Sequence, residues 1–257
     1  MVSKTVIYEQ PLNERVRTLL RLEHLFLLID HQFNERSDWH CRFILEAMLE
    51  ITDLLSRSDL KSELIKELEK QFSMLNSLKD NPAVDAYRLN ELCEKLNDLL
   101  STLKSNQYQP GSILKKDELV SSFRQRVSIP GGTCIFDLPR LHYWLNLPDL
   151  KRKQKIEEWF EDLLPIKHAS NLSLDMIRNS STPSNAKAEN GFYQQPIESN
   201  VSCQLIRVLL PDYADYYPEI SGGKHRFTIR FMEGNETQSR PVQSSKTIEF
   251  ELHCCIL

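Results

Sequence analysis

A turn, a strand and a helix are all predicted within one stretch, Ser128-Ile-Pro-Gly-Gly-Thr-Cys-Ile-Phe-Asp-Leu-Pro-Arg-Leu-His-Tyr-Trp-Leu145. Pro130-Gly131-Gly132 ends a preceding helix, because proline lacks a backbone donor and glycine tolerates positive φ. Residues 133–136 are rich in strand formers, and Asp137 stands where an N-cap belongs, just before Pro139 in a first helical turn. The stretch therefore predicts a scaffold that holds basic side chains close together, namely Arg124, Arg126, Arg140 and His142.

The chain has 257 residues, of which 40% are hydrophobic and 26% charged, the composition of an ordinary globular protein. This length is long for a single core and short for two full-sized domains. The first residues lack the apolar segment of a signal peptide, and no run approaches the roughly 20 apolar residues of a membrane span. We therefore expect a cytoplasmic protein without a membrane segment.

The cysteines do not form a recognisable framework. Six are present, at positions 41, 93, 134, 203, 254 and 255, without any CxxC spacing. Cys254 and Cys255 are adjacent, so on a strand they would point to opposite faces and would not readily share one metal ion. We expect reduced structural thiols, no metal and no cofactor.

The net charge of −4 is unevenly distributed. Residues 43–104 hold twelve acids and eight bases, which accounts for the whole surplus. Bases cluster within residues 139–155 and again within residues 222–230. A mildly acidic chain with local basic clusters favours a discrete anionic partner over bulk nucleic acid.

Hydrophobic periodicity predicts a mainly helical body. Predicted helices cover residues 14–33 behind an Asn13 cap, 38–55, 59–78, 89–103, 116–127, 138–145, 149–164 and 170–178. The fourth carries leucines at 89, 92, 96, 99 and 103, a heptad-like seam of about two heptads. So short a seam favours an antiparallel partner within the same bundle over an extended coiled coil.

Strands are predicted at residues 5–9, 204–210, 227–232 and 247–254, with an exposed loop at 179–185 and turn residues at Pro218 and Gly222-Gly223. One antiparallel sheet would bring the first and last residues side by side. The predicted class is α+β: a mainly helical, bundle-like domain at residues 11–180 and a small antiparallel β-domain. The β-domain combines the N-terminal strand, within residues 1–10, with residues 186–257.

No catalytic motif is found in the sequence. Ser221-Gly-Gly-Lys224 fails as a phosphate-binding Walker A loop, because Pro218 replaces a glycine and His225 replaces a serine or threonine. Neither HExxH nor GxSxG occurs. We expect a protein that is not an enzyme.

Two basic pairs stand out by their spacing. Arg17 and Arg21 lie four apart on a helix and so share one face. Arg226 and Arg230 share one face of a strand whose residues 227 and 229 point into the core. Each pair alone is also typical of an ordinary solvated surface.

The chain resembles the ZapD family of bacterial cell-division proteins, the Z-ring-associated proteins, in blocks that cover essentially its whole length. Besides the opening stretch, these blocks are Pro11-Leu-Asn-Glu-Arg-Val-Arg-Thr-Leu-Leu-Arg-Leu-Glu23, Asn190-Gly-Phe-Tyr-Gln194, Tyr217-Pro-Glu-Ile-Ser-Gly-Gly-Lys-His-Arg-Phe-Thr-Ile-Arg-Phe-Met232 and Phe250-Glu-Leu-His-Cys-Cys255. The resemblance implies a homodimer at the mid-cell division ring that binds the C-terminal tail of FtsZ and bundles its protofilaments. It implies neither a membrane nor a nucleic acid as partner.

The resemblance also directs attention to a set of basic residues. We expect seven side chains to converge between the helical body and the β-domain and to clamp the acids of the tail: Arg17, Arg21, Lys115, Arg124, His142, Arg226 and Arg230. Glu118 departs from the family pattern, in which this position tends to be basic, so one edge of the site is in question. Two other classes stay open: a nucleic-acid-binding module using residues 151–155, and an enzyme with an unfamiliar site.

Overall fold

The computed structural model describes residues 5–33, 37–57, 59–198, 202–223, 225–234 and 240–256. Its helices are α1 (Glu14–Phe33), α2 (Asp38–Arg57), α3 (Leu60–Asn76), α4 (Ala86–Lys104), α5 (Ser112–Lys116), α6 (Glu118–Arg126), α7 (Pro139–Leu145), α8 (Asp149–Phe160) and α9 (Leu164–Asn179). Its strands are β1 (Thr5–Pro11), β2 (Ser184–Ala188), β3 (Phe192–Pro196), β4 (Cys203–Pro211), β5 (Tyr216–Gly222), β6 (Arg226–Glu233) and β7 (Ile248–Ile256). The predicted α+β class, with an N-terminal strand in the β part, is confirmed.

The chain forms two compact units. The β unit combines Met1–Thr18 with Leu174–Leu257, and the helical unit is Leu19–Ser173. The division falls inside α1 and inside α9.

In the helical unit, α4 packs against α3, an antiparallel partner of the kind that the leucine seam predicts. Leu89, Leu96 and Leu103 are buried on one face of α4, at intervals of seven residues. Lys61, at the start of α3, donates hydrogen bonds to the carbonyl oxygens of residues 105 and 108, just beyond the end of α4. Each fully buried leucine contributes on the order of 1.5–3 kcal/mol to folding.

The predicted helix at 116–127 is two helices in the structure. α5 ends at Lys116, and Asp117 caps α6 by accepting hydrogen bonds from the backbone N–H groups of Leu119 at 2.9 Å and Val120 at 3.4 Å. An aspartate in an extended conformation satisfies N–H groups that have no partner within the helix, so a new helix starts after it.

The prediction of a strand at residues 133–136 is wrong, because this segment consists of turns. Gly131 has a φ of 71°, and its carbonyl accepts a hydrogen bond from the N–H of Cys134 at 3.0 Å. Asp137 does not cap α7 either, since its carboxylate accepts from Arg126 at 3.1 Å. Among the described residues, neither sheet includes this segment, so local turn bonds replace strand pairing here.

The β unit contains two antiparallel sheets rather than the single sheet that was predicted. The larger has the order β1-β4-β7-β2 and the smaller β3-β6-β5. β4 therefore separates β1 from β7, and the predicted side-by-side pairing of the first and last strands is wrong. Pro218, predicted to mark a turn, lies within β5, an edge strand where a missing N–H costs no ladder bond.

The two sheets pack face to face around one apolar core. Phe231 of the smaller sheet and Phe250 of the larger have ring centroids 5.0 Å apart, and Tyr193 meets Phe250 edge-on at 5.4 Å. Side chains of β4 and β7, including Ile206 and Leu252, fill the rest of this layer. The β unit is thus a small sandwich.

An ion triad fixes β1 to its neighbours within the β unit. Glu9 Oε1 accepts from Arg207 Nε on β4 at 2.9 Å, and Glu9 Oε2 accepts from Arg178 Nη2, near the end of α9, at 2.7 Å. The three side chains are only 15–18% exposed. Partial burial makes each group depend on the others, because a charge left unpaired there is costly.

Candidate functional site

Arg226 and Arg230 lie on the solvent-exposed face of β6, as the sequence predicts. Both are exposed, whereas Phe227 and Ile229 between them are buried at 1% and 0% exposure. The strand alternation that places the apolar side chains in the sandwich core therefore points both guanidinium groups outward.

The neighbouring strands complete this surface. Arg230 lies opposite Phe192 of β3 and Glu219 of β5, while Arg226 lies opposite Pro196 of β3. We name the exposed face formed by Arg226, Arg230, Phe192 and Pro196 the outer basic face. Glu219 is its acidic neighbour, so a ligand acid at Arg230 would approach beside a carboxylate of the chain.

Arg17, also in the β unit, is paired locally. Its guanidinium contacts Glu14 one turn earlier on α1. Asn13 caps this helix as predicted, accepting from the backbone N–H of Val16 at 2.9 Å. An exposed ion pair of this kind is weak, so Arg17 can exchange Glu14 for another acid at little cost.

In the helical unit, Lys115 and Arg124 meet at one cavity. We name it the α2–α6 cavity; its volume is about 140 Å³. Its lining consists of Leu49, Thr52, Leu114, Lys115, Val120, Ser121 and Arg124. Its apolar members are buried, whereas the two cations, Lys115 and Arg124, are exposed and so form its rim.

Residues of α2 bind both cations. Asp53 Oδ1 accepts from Arg124 Nη2 at 2.5 Å, and Ser56 Oγ lies 3.3 Å from Lys115 Nζ. Sequence reasoning missed this role of α2. The signal was present, because residues 49, 52, 53 and 56 fall on one helical face at spacings of three and four.

Gly111, the residue before α5, packs against the wall of the same cavity. Its φ is +74°, and a Cβ at this position would lie 2.7 Å from Cγ2 of Thr52, a residue of the lining. Only glycine fits here without moving the cavity wall.

Asp117 fixes the start of α6 and so positions the cavity rim. Its Oδ2 accepts from Trp159 Nε1 at 3.0 Å and from Lys155 Nζ at 3.1 Å. Burial alone would raise the pKa of Asp117, but the hydrogen bonds from Trp159 and Lys155 outweigh burial and lower it. The carboxylate therefore stays charged and holds α6 against α8. Glu118, the next residue, is exposed in the first turn of α6, where its negative charge interacts favourably with the helix dipole.

His142 and Arg21 lie elsewhere on the helical unit. His142 is exposed on α7 and its ring nitrogens lie 3.4 Å from the side-chain amide of Asn146. Trp144 anchors this helix by packing against Trp159, with centroids 5.2 Å apart. Neither His142 nor the exposed Arg21 lines the α2–α6 cavity. The structure thus brings together Lys115 with Arg124 and Arg226 with Arg230, and the convergence of all seven residues stays a prediction.

The basic run at residues 151–155 is divided between solvent and the interior. Lys151 and Lys153 are exposed, whereas Arg152 is buried and donates to the carbonyl of Leu145 at 2.5 Å. Lys155 is held by Asp117. This run therefore presents a weaker positive surface than its sequence indicates.

One polar cluster in the β unit has contacts reminiscent of a catalytic triad. Ser181 Oγ lies 2.9 Å from His253 Nδ1, and Glu251 Oε1 lies 2.7 Å from His253 Nε2. His253 is only 9% exposed, and Ser181 also donates to a carbonyl near the end of α9, that of Arg178, at 3.3 Å. The cluster satisfies a buried histidine and ties β7 to the segment after α9.

Within the described ranges, no group of three or more His, Cys, Asp or Glu side chains is arranged to hold a metal ion. None of the helices in those ranges is both long and apolar enough to cross a membrane.

Comparisons with known proteins agree along almost the whole chain. A family model described as "ZapD: Cell division protein" matches residues 20–230. Proteins named "Cell division protein ZapD" are similar over nearly their full lengths: the one from Methylococcus capsulatus is 37% identical over 252 residues, covering 98% of each chain. The one from Pectobacterium atrosepticum is 39% identical over 254 residues with the same coverage, and one from Coxiella burnetii is 35% identical over 257 residues, covering 99% of each. The chain belongs to the ZapD family of cell division proteins.

Proposed function

We propose that this chain binds the C-terminal tail of FtsZ, the filament protein of the bacterial division ring, and that its homodimer crosslinks FtsZ protofilaments at mid-cell. Membership of a family of cell division proteins supports a role in cell division. The observation that carries the tail contact is the outer basic face, where Arg226 and Arg230 are exposed on the same side of one strand.

The chemistry of this face suits a short acidic peptide. Arginine presents a planar fork that pairs a carboxylate through two parallel hydrogen bonds. Four residues of a strand span about 13 Å, so Arg226 and Arg230 match acids about four residues apart on an extended peptide. Phe192 and Pro196 offer apolar contacts beside them.

The α2–α6 cavity supplies a second contact of a different kind. Its volume of about 140 Å³ is close to that of engineered apolar cavities, about 150 Å³, that bind benzene. Leu49, Leu114 and Val120 would take one apolar side chain of the tail, while Lys115 and Arg124 pair with an adjacent acid. Arg17, Arg21 and His142 complete the proposed set of tail-binding residues.

Crosslinking follows from having two binding sites in one particle. A single contact of micromolar strength corresponds to about 8 kcal/mol. A dimer whose two sites hold tails of neighbouring protofilaments joins them, and the high local concentration of tails gives the assembly avidity. This activity uses binding alone, with no cofactor and no bond-breaking step.

A peptide titration tests the proposal. A labelled FtsZ C-terminal peptide is titrated into the full chain and into an Arg226→Glu, Arg230→Glu variant. The matched control, Lys187→Glu with Arg240→Glu, makes the same charge change at exposed positions of the β unit. We expect the first pair to weaken binding at least about tenfold, or ~1.4 kcal/mol, and the control to change it much less. Absence of wild-type binding, or equal effects of both pairs, would refute the tail contact.

Bundling is tested separately by sedimentation. Charge reversal of Arg17 and Arg21 together should abolish co-sedimentation with FtsZ polymers while leaving the circular dichroism spectrum unchanged. Sedimentation equilibrium of the chain alone should give a dimer. A monomer at the concentrations that bundle FtsZ would exclude crosslinking by a dimer.

The nucleic-acid alternative has lost its main support, because Arg152 and Lys155 of the basic run are engaged internally. A gel-shift titration at physiological salt should give no specific complex. A specific shift would favour that alternative over the FtsZ proposal.

A further inference from the structure

Two cysteines of the β unit lie close together on neighbouring strands. Cys203 is on β4 and Cys254 is on β7, and these strands pair antiparallel. Both cysteines are free; Cys203 lies opposite Ile256, two residues along β7 from Cys254, and its thiol donates to the carbonyl of Leu205 at 3.8 Å. The tail-binding proposal uses neither.

A β-bulge places the two thiols on the same face. Ile206 pairs with Cys254, and both face the core between the sheets. In a regular strand Cys203, three residues before Ile206, would point the other way. The register shift between Cys203 and Leu205 turns it back, so that both cysteines pack against the same core.

A cavity gives access to the pair. It has a volume of about 370 Å³, and Cys203 and Cys254 both lie in its wall. The rest of the lining is Gln195, Pro196, Ile197, Glu198, Phe227 and Ile256. Both thiols are half-buried rather than sealed, so a small molecule in this cavity would meet both sulfurs.

We propose that Cys203 and Cys254 are a redox-active dithiol that exchanges with small-molecule disulfides of the oxidised-glutathione class and closes to a cross-strand disulfide. The inference rests on the bulge, the shared cavity and the placement of the two cysteines on paired strands. It is independent of the proposed function.

The two thiols take different roles in the exchange. The neighbouring Cys203 thiol lowers the pKa of the Cys254 thiol, whereas the neighbouring Cys254 thiol, together with burial, raises the pKa of Cys203. Because the thiolate is the nucleophile, Cys254 is the attacking group and Cys203 resolves the intermediate.

The exchange balances in two steps. The Cys254 thiolate attacks one sulfur of oxidised glutathione, the glutathione S–S bond breaks, and the first glutathione leaves with the proton that Cys254 gave up. Cys203 then loses its proton, attacks Cys254 Sγ and releases the second glutathione, which takes that proton. The protein dithiol loses two electrons and one glutathione disulfide is reduced to two thiols.

Cys255 provides a natural internal control. It is adjacent in sequence but faces the other side of β7, with 0% exposure, and its Sγ lies 3.9 Å from the carbonyl of Arg178. Burial raises the pKa of the Cys255 thiol. Cys255 has no exposed surface through which a small-molecule disulfide could reach it in the folded protein, so it should not react.

The test is native incubation of the full chain with oxidised glutathione, followed by acid quenching, thiol counting after denaturation and peptide mapping. The thiol count should fall from six to four, and the crosslinked peptides should contain Cys203 and Cys254. Cys203→Ser should retain glutathione on Cys254, and Cys254→Ser should not react. Cys255→Ser should still lose two thiols.

Three results would overturn the inference. These are an unchanged count of six in the wild type, crosslinks or adducts that map to other cysteines, and a lasting glutathione adduct on wild-type Cys254 without closure. Circular dichroism of each serine variant verifies that the comparison is made between folded proteins.

Discussion

Arg124 donates a hydrogen bond to Asp53 over 2.5 Å, so a carboxylate of this chain already occupies a guanidinium that the proposed function assigns to the FtsZ tail. The side chains are 47% and 38% exposed, respectively, and solvent therefore screens the pair. Exposed pairs contribute at most about 1 kcal/mol. Under the proposed function, Asp53 would therefore compete with a tail acid without preventing its binding.

Asp53→Asn should strengthen tail binding about two- to fivefold, because it releases Arg124 from a pair of at most about 1 kcal/mol. Titration with labelled FtsZ peptide measures the change. Glu50→Gln removes an equal charge from an exposed position of the same helix and serves as the control. Equal strengthening by both variants would mean that overall charge, and not the Asp53 pair, sets the affinity.

Tail binding should weaken steeply as salt rises. Exposed ion pairs are screened over about 10 Å at 0.1 M ionic strength and about 3 Å at 1 M. Pelleting of FtsZ bundles across this range gives one measure, and peptide titration gives a second that does not depend on FtsZ polymerisation. Salt-independent binding in both assays would contradict an electrostatic clamp.

Two glycines of the helical unit allow a matched comparison of strain and crowding. Gly111 and Gly131 have φ values of +74° and +71°, but an added Cβ meets Thr52 only at Gly111. Gly131→Ala should cost about 1–2 kcal/mol from the left-handed backbone alone. Gly111→Ala should cost more and should also weaken tail binding through the α2–α6 cavity. Urea unfolding followed by tryptophan fluorescence measures the stabilities, and equal losses would refute the steric account.

Asp117 should make the helical unit sensitive to acid. An unperturbed aspartate has a pKa of about 3.9, and the pKa of Asp117 is lowered in the folded chain. Its stabilising effect is therefore fully present above about pH 4 and is lost as the pH falls through the lowered folded value. Asp117→Asn keeps a good N-cap but removes the charge, so we expect a loss of about 1–2 kcal/mol at pH 7 and a shallower decline below pH 4.

The matched control for Asp117 is Asp85→Asn. Asp85 also caps a helix, accepting from the N–H of Tyr87 at 3.0 Å, but its side chain is exposed. Unfolding at pH 7 and pH 3, followed by tryptophan fluorescence, compares the two variants. Similar losses in both would show that a negative charge at a helix cap, without the contacts from Trp159 and Lys155, explains the effect.

Glu9→Gln should destabilise the β unit by about 3 kcal/mol, because it leaves two partly buried arginines without their carboxylate. Hydrogen exchange of the β1 and β4 amides measures this loss locally. Glu249→Gln changes an exposed acid on β7 and should be nearly neutral. Unchanged protection of β1 in Glu9→Gln would show that strand pairing, and not the ion triad, fixes this strand.

Sequence periodicity predicted the helices and strands in which apolar residues recur at a regular spacing. The seven-residue leucine spacing of α4 and the apolar alternation of β6 each identify a buried face without knowledge of neighbours. β2 and β3 were missed because each has only five residues, without a clear apolar alternation, and is defined by its pairing partner. α9 begins earlier than predicted, at Leu164, since the proline at 165 falls in its first turn, where no hydrogen bond is lost.

The same limit applies to the candidate site. Spacing along one strand predicted that Arg226 and Arg230 share an exposed face. It did not predict that Asp53 meets Arg124, because that contact joins different helices. Nor did it predict that Cys203 and Cys254 line one cavity, because a bulge reverses the expected direction of Cys203. Contacts between distant segments depend on packing angles and register, which local patterns do not specify.

The pairing of β1 with β4 has a consequence for synthesis. Thr5 lies opposite Pro211 and Pro11 opposite Leu205, so the earliest of these strands to leave the ribosome has no partner until about 200 more residues have been added. At about 5–20 residues per second that delay is roughly 10–40 s. During this period the segment has no strand partner and is accessible to chaperones and prone to aggregation. The sandwich is therefore completed late in synthesis.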